Sequence, residues 1–162
     1  MSKGTAVVVG VGAETGLGAA LARRFAREGL RVVIVGRTEK RLRATAAGIH
    51  EAGGTVLTKV TDATHEKDVV ALFDKAAAEI DLELVVYNVG NNVAASALET
   101  TPELFERLWR QNAFGGFLVG REAARRLASR QKGTILFTGA TAFYRIRVRQ
   151  GGAARRRARA RS

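Results

Sequence analysis

The sequence predicts an α/β fold: a doubly wound parallel sheet of five strands with helices on both faces and the strand order 3-2-1-4-5. Three observations predict it. Short apolar, β-branched runs alternate with segments of helical periodicity through residues 5–138. The runs are apolar at consecutive positions rather than at every second one, which marks strands covered on both faces, the habit of parallel sheets. The first run breaks directly into four glycines and a helical segment. Right-handed crossovers between neighbouring units then give the order.

Each element has its own signal. Residues 5–9 form the first strand. Leu17, Leu21 and Phe25 mark one face of the first helix, which stops at Glu28-Gly29, a usual place for a glycine cap. Residues 31–35 are a continuous apolar strand closing on Gly36-Arg37. Leu42, Ala46 and Ile49 mark the second helix, which ends at Gly53-Gly54, and residues 55–60 are the third strand. Thr64 is placed to cap a third helix whose buried face is Val69, Phe73, Ala76 and Ile80. Residues 82–87 form the fourth strand. Thr101-Pro102-Glu103 offers a capping hydroxyl, a proline in the first turn and an acid near the positive end of a helix dipole. Helical periodicity runs from there to Arg130 with a break near Asn112, and residues 133–138 form the fifth strand. Phe105, Leu108, Phe114, Phe117 and Leu118 read as core.

Length and composition narrow the function classes. The 162 residues suffice for one domain with a real core and are few for two. No apolar run approaches the roughly 20 residues of a membrane helix, and the N-terminus lacks a secretory pattern. No membrane partner is therefore expected. There is no cysteine, which removes disulfide and thiolate chemistry and points to a reducing, cytoplasmic compartment. His50 and His65 stand alone, without partners at metal-ligand spacing, so no metal is expected. The net charge of +12 would suggest nucleic acid, but its distribution argues against that. Residues 144–162 hold eight arginines and no acid. Without those eight, the 27 basic residues fall to 19 against 15 acids, a net of +4 for residues 1–143. The chain thus divides into a nucleotide-binding domain over 1–143 and an arginine-rich tail over 144–162. The tail has no apolar periodicity to offset the entropy of ordering, and disorder is expected there.

The chemistry begins at Gly10-Val11-Gly12-Ala13-Glu14-Thr15-Gly16-Leu17-Gly18. Glycines after a buried strand allow positive φ and let a ligand approach where a Cβ would collide. The helix that follows presents its N-terminus, with free N–H groups and a positive dipole end, to a pyrophosphate. Read from Gly10, the sixth position is Thr15, so the simplest G-x-G-x-x-G fingerprint is not met. Read as Gly12-x-x-x-Gly16-x-Gly18, the stretch resembles the glycine segment of the short-chain dehydrogenase/reductase family, whose Rossmann-like fold accords with the pattern above. Tyr87-Asn88-Val89-Gly90 is similar to that family's Asn-Asn-Ala-Gly motif, and Leu108-Trp109-Arg110-Gln111-Asn112 resembles its helix segment with an active-site asparagine. The resemblance covers residues 3–142 in register.

The resemblance implies a set of site residues. Gly12, Glu14, Thr15, Gly16, Leu17 and Gly18 would surround the pyrophosphate. Asp62-Ala63 would lie beside the adenine ring, although Asp62 also suits a helix cap, and Asn88, Val89 and Gly90 would face the cofactor. Where NAD-preferring members place an acid at the end of the second strand, this chain has Gly36, followed by Arg37. A guanidinium there pairs with a 2′-phosphate, which favours NADP(H) over NAD(H). The other reading of Arg37 is a solvated loop residue. Asn112 would hold a water that connects the catalytic lysine to solvent.

The sequence departs from the family at its catalytic end. Ala140 stands where the family has its substrate-orienting serine. Thr141 is the nearest hydroxyl and serves if the loop shifts by one residue. Tyr144 comes too early for the family's Tyr-x-x-x-Lys pair, Val148 stands four residues after it, and no lysine follows Lys132. Reducing a carbonyl requires a proton donor at its oxygen, and a tyrosine serves only when a cation lowers its pKa. The expected function is thus NAD(P)-dependent hydride transfer between NADP(H) and a carbonyl or alcohol substrate by family, with poor catalysis by this chain. A non-catalytic nucleotide-binding or regulatory domain is the alternative, and a nucleic-acid binder working through the tail a lesser one. The sixth and seventh strands are expected to be missing, with strand five left as an edge and subunit pairing weakened. A shifted reading frame after residue 143 would account for the change in composition, against a purposeful short form.

Overall fold

A computed structural model of the chain describes residues 3–76, 81–90, 93 and 95–140. Five parallel strands, β1 (Thr5–Val9), β2 (Arg31–Gly36), β3 (Val56–Val60), β4 (Leu82–Tyr87) and β5 (Thr134–Phe137), form one sheet in the order β3-β2-β1-β4-β5. This is the α/β arrangement and order expected. The register pairs Val9 with Val35 on one side and with Tyr87 on the other, Gly36 with Val60, and Tyr87 with Phe137. The carboxyl ends of all five strands therefore lie along one edge of the sheet. That edge is where a switch in strand order opens a crevice between β1 and β4.

Successive strand residues point to opposite faces, and the core divides accordingly. Val7, Val9, Val33, Val35, Val85 and Tyr87 pack beneath α3 (Glu66–Ala76) and α5 (Gly115–Ala128). Val8, Val32, Ile34 and Val86 pack beneath α1 (Leu17–Arg27) and α2 (Glu39–Glu51). Every residue of β1 and β2 is buried. Full burial of a valine stabilises by roughly 1.5–3 kcal/mol, so hydrophobic packing adds to the hydrogen-bonded ladders in holding the centre of the sheet. The two outer strands differ from the expectation of apolar strands covered on both faces. Only Val56 of β3 is buried and no residue of β5 is, because among the described residues each has a neighbouring strand on one side only.

Three helix expectations need correction. The face of α1 that meets the sheet is Gly18, Ala19 and Ala22, whereas Leu17 is 58% exposed and Leu21 and Phe25 are half-buried. Small residues let the helix lie close on β1, which a leucine stripe would prevent. Thr64 does not cap α3, since its hydroxyl and its amide both donate to Asp62 Oδ1, at 2.8 and 2.9 Å. Val69, Phe73 and Ala76 are buried as expected, and Ile80 lies outside the described residues. The long helix begins as predicted, with Thr101 Oγ1 accepting from the Leu104 amide at 3.2 Å. It is α4 (Pro102–Trp109), then a π-turn over Arg110–Phe114, then α5. Of the five residues taken as core there, only Leu118 is fully buried. Phe114 packs partly against the core and Leu108 is half-buried, while Phe105 is 66% and Phe117 57% exposed. Helical spacing set them on one stripe, but no described element covers the outer part of it.

Candidate nucleotide site

The turn after β1 is locked from three sides. The amides of Gly10 and Val11 both donate to the Val35 carbonyl at 2.9 Å, which ties the turn to β2. The Asn88 amide donates to Val9 O at 2.7 Å, and its side-chain Nδ2 donates to Gly10 O at 3.2 Å, which ties the turn to β4. Thr138 closes the set: its amide donates to Tyr87 O and its hydroxyl hydrogen-bonds Asn88 Oδ1 at 3.1 Å. Gly10 has φ +96°, and a Cβ on it would sit 2.6 Å from the Asn88 carbonyl carbon, so no other residue fits. By contrast, space is open around the Cα of Gly12, within 4 Å of which a Cβ would meet nothing. The backbone is therefore pinned on its sheet side and bare on its solvent side. That leaves a cradle of bare backbone facing the cleft, with room for a ligand to approach the main chain.

The cleft beyond the cradle collects residues from four strand ends. Gly12, Arg37, Asp62, Ala63, Asn88, Val89 and Gly90 all line it, so these predicted residues do come together. Glu14, Thr15, Gly16, Leu17 and Gly18 do not line it. Glu14, Thr15 and Leu17 are exposed at the mouth, and the Glu14 carbonyl accepts from Arg23 at 2.8 Å. Gly16 is half-buried at the start of α1, and Gly18 is buried beneath the turn, where a Cβ would be 2.8 Å from Gly10 O. Asn112 lies elsewhere: it lines an apolar groove with Gly116, Phe117, Gly120, Ile135 and Phe137, and its Nδ2 donates to Leu108 O at 2.9 Å. Thr141, the alternative hydroxyl, lies outside the described residues. So do Tyr144, Val148 and the whole of the arginine-rich tail.

Five further residues line the cleft that the sequence reading missed: Thr38, Arg41, Thr64, Tyr87 and Gln111. Arg41 had a signal, since it lies one helical turn beyond Arg37 in the first turn of α2. The cleft thus carries two arginines, one following β2 and one in the first turn of α2, and β2 itself closes on Gly36 rather than on an acid. Asp62 stands at the end of β3. Burial raises its pKa, but the hydrogen bonds from the Thr64 amide and hydroxyl, with the charges of His65 and Arg37, outweigh that and hold it below 3.8. Its carboxylate stays ionised at any ordinary pH. Tyr87 is buried, and its pKa is pushed up to about 12 by burial and then by the charge of Asp62. It is a neutral hydrogen-bond donor throughout the physiological range.

Comparison with known proteins follows the same outline. Residues 6–148 match the family model described as short chain dehydrogenase. A 3beta-hydroxysteroid dehydrogenase of Eggerthella lenta is 38% identical over 123 residues, which are 75% of this chain and 47% of that enzyme. Among solved structures, a short-chain dehydrogenase from Rhodopseudomonas palustris superposes with a TM-score of 0.82 at 39% identity, covering 87% of this chain and 66% of the other. An actinorhodin polyketide ketoreductase crystallised with NADPH superposes with a TM-score of 0.84 at 26% identity, covering 91% and 58%. The chain spans about half the length of several relatives that it matches.

Proposed function

The chain belongs to the short-chain dehydrogenase family, and from that premise we propose that it binds NADP(H) in the cleft at the carboxyl ends of β1, β2 and β4. The observation that carries the choice of nucleotide is the pair Arg37 and Arg41 lining the cleft, with Gly36 rather than an acid as the last residue of β2. In this reading the bare backbone at Gly12 and the N-terminus of α1 hold the pyrophosphate. Arg37 and Arg41 pair with the 2′-phosphate, a charge-assisted contact that NAD(H) does not offer. Asp62 and Ala63 border the adenine, and Asn88 keeps the turn shut against the sheet. The polyketide ketoreductase with NADPH, at 26% identity, supports the class of cofactor. When bound, that cofactor supplies a hydride to a carbonyl carbon or takes one from an alcohol.

Turnover is a separate matter. Ala140 stands where the family orients the substrate carbonyl with a serine, no lysine follows Lys132 to lower the pKa of a catalytic tyrosine, and Asn112 lines the groove beside β5 rather than the cleft. We therefore read the chain as a nucleotide-binding unit that turns over poorly or not at all alone, and the regulatory reading rests on the same residues. A reducing, cytoplasmic setting fits a chain without cysteine, and no helix among the described residues is long and apolar enough to cross a membrane. Calorimetric titration of the purified chain with NADPH and separately with NADH is the test. Saturable binding that prefers NADPH, with no oxidation of NADPH in the presence of simple ketones or aldehydes, is the expected result. Equal affinity for the two nucleotides, or none for either, would contradict the assignment.

A further inference from the structure

Three features that the nucleotide reading does not use meet at one point. The first is the π-turn at Arg110–Phe114, where the amide of Gly115 donates to the carbonyl of Arg110, five residues back. π-turns of this kind concentrate at functional sites because each costs helix geometry. The second is the stacking of Trp109 on Phe114, with centroids 5.6 Å apart and planes at 24°. Residues five apart on a regular α-helix point about 140° away from each other. The inserted residue is what brings these two rings onto one face. The third is Tyr87, the last residue of β4, whose hydroxyl donates to the carbonyl of Gln111 within the π-turn.

The fit around that hydroxyl is close. A Cβ on Gly115 would lie 2.5 Å from the Tyr87 hydroxyl oxygen, and one on Gly116 would lie 3.3 Å from its Cε1. The start of α5 can therefore approach β4 only because two glycines face the tyrosine ring. Tyr87 and Gln111 both line the nucleotide cleft, while Asn112, the next residue, lines the apolar groove on the other side. The tyrosine is buried and neutral, so its donor is constant across pH.

We propose that Tyr87 is a positioning residue. Its hydroxyl holds the π-turn in register and thereby sets Gln111 over the nucleotide cleft and Asn112 over the groove beside β5. The role in nucleotide affinity rests on the NADP(H) reading above, whereas the role in the π-turn does not.

The test compares the full chain with Tyr87→Phe, Gly115→Ala and the double variant. Trp109 is the chain's single tryptophan, so near-ultraviolet circular dichroism and emission report directly on its stacking. Tyr87→Phe removes one oxygen atom and is expected to alter the Trp109 signal and to speed amide exchange at 110–116 about tenfold, with β1 and β2 unaffected. It is also expected to weaken NADPH binding about three- to tenfold, the worth of one neutral hydrogen bond. Gly115→Ala drives a methyl group onto the hydroxyl and should disturb the same signals more. Adding Tyr87→Phe to Gly115→Ala removes the 2.5 Å contact and leaves one of 3.2 Å to the Ala63 carbonyl, so it should bring the signals part of the way back towards those of the single Tyr87→Phe variant. An unchanged Trp109 signal and unchanged exchange in Tyr87→Phe would overturn the proposal, whether or not the alanine variant folds. If the wild type binds NADPH and Tyr87→Phe binds it equally well, the positioning of Gln111 is refuted even where the π-turn loosens. Failure of the wild type to bind NADPH counts against the cofactor reading alone, since the Trp109 and exchange measurements still decide the π-turn.

Discussion

Arg37 and Arg41 do different work from the glycines beside them. In the proposed reading the glycine turn recognises any pyrophosphate, because backbone amides and a helix dipole meet what all dinucleotides share. The two guanidiniums would meet only what NADP(H) adds. Replacing both with alanine should therefore weaken NADPH binding by tenfold or more and leave NADH binding nearly unchanged. Two titrations check it, and an equal loss for both nucleotides would show that the arginines hold the pyrophosphate instead. Both side chains are exposed, so their contribution falls as salt rises. Neither supports the sheet, and the unfolding midpoint of the double variant should match that of the wild type.

A buried carboxylate on α5 gathers the arginines that reach across to α3. Glu122 of α5 is 2% exposed, and its carboxylate accepts from Arg125 at 2.6 Å and Arg126 at 2.8 Å. Arg126 also reaches Asp74 of α3 at 2.5 Å, and Arg121 pairs with Glu66 of α3. Burial pushes the Glu122 pKa up, yet the Arg126 hydrogen bond and the charges of Arg125, Arg126 and Arg121 outweigh it and hold it below 4.5. A carboxyl whose folded pKa is depressed contributes stability that is complete above its unfolded value and is lost as pH falls through the folded one. Glu122→Gln should cost about 2 kcal/mol at neutral pH, since charge-assisted bonds are lost while the arginine ends stay partly hydrated. The variant should also show a flatter loss of stability below pH 4.5 than the wild type. Urea unfolding across the acid range measures both, and parallel curves would refute the assignment.

At the scale of the molecule, the sheet is protected unequally at its two edges. Edge strand β3 carries Lys59, whereas β5 reads Thr-Ile-Leu-Phe, with neither charge nor proline. Leu136 is 47% and Phe137 58% exposed, and the small residues Gly116 and Gly120 of α5 leave a groove alongside. An uncharged apolar edge is a template for pairing with another strand. The chain should self-associate as its concentration rises, and Leu136→Lys should shift it towards monomer in sedimentation velocity. A wild type that stays monomeric at high concentration would show that the edge is covered in solution.

The succession of strands and helices, the strand order and the glycine turn were legible in the sequence because each rests on periodicity or on residues adjacent in the chain. Gly12, Arg37, Asp62 and Asn88 were named through the resemblance to the family, and they line one cleft because a parallel sheet gathers the loops at the carboxyl ends of its strands. Hydropathy names the apolar stripe of a helix without saying what covers it. Hence Leu17, Phe105 and Phe117 proved exposed while Gly18 and Ala22 made the contact with the sheet. The helical pattern showed a break near Asn112, but not that the break is an inserted residue with Gln111 and Asn112 lining two different cavities. The meeting of Tyr87 with Gly115, 28 positions apart, is fixed only when α5 settles on β4. Local order followed from the sequence, and the tertiary structure decided which surfaces face one another, because contact between elements depends on distances that no stretch of chain encodes by itself.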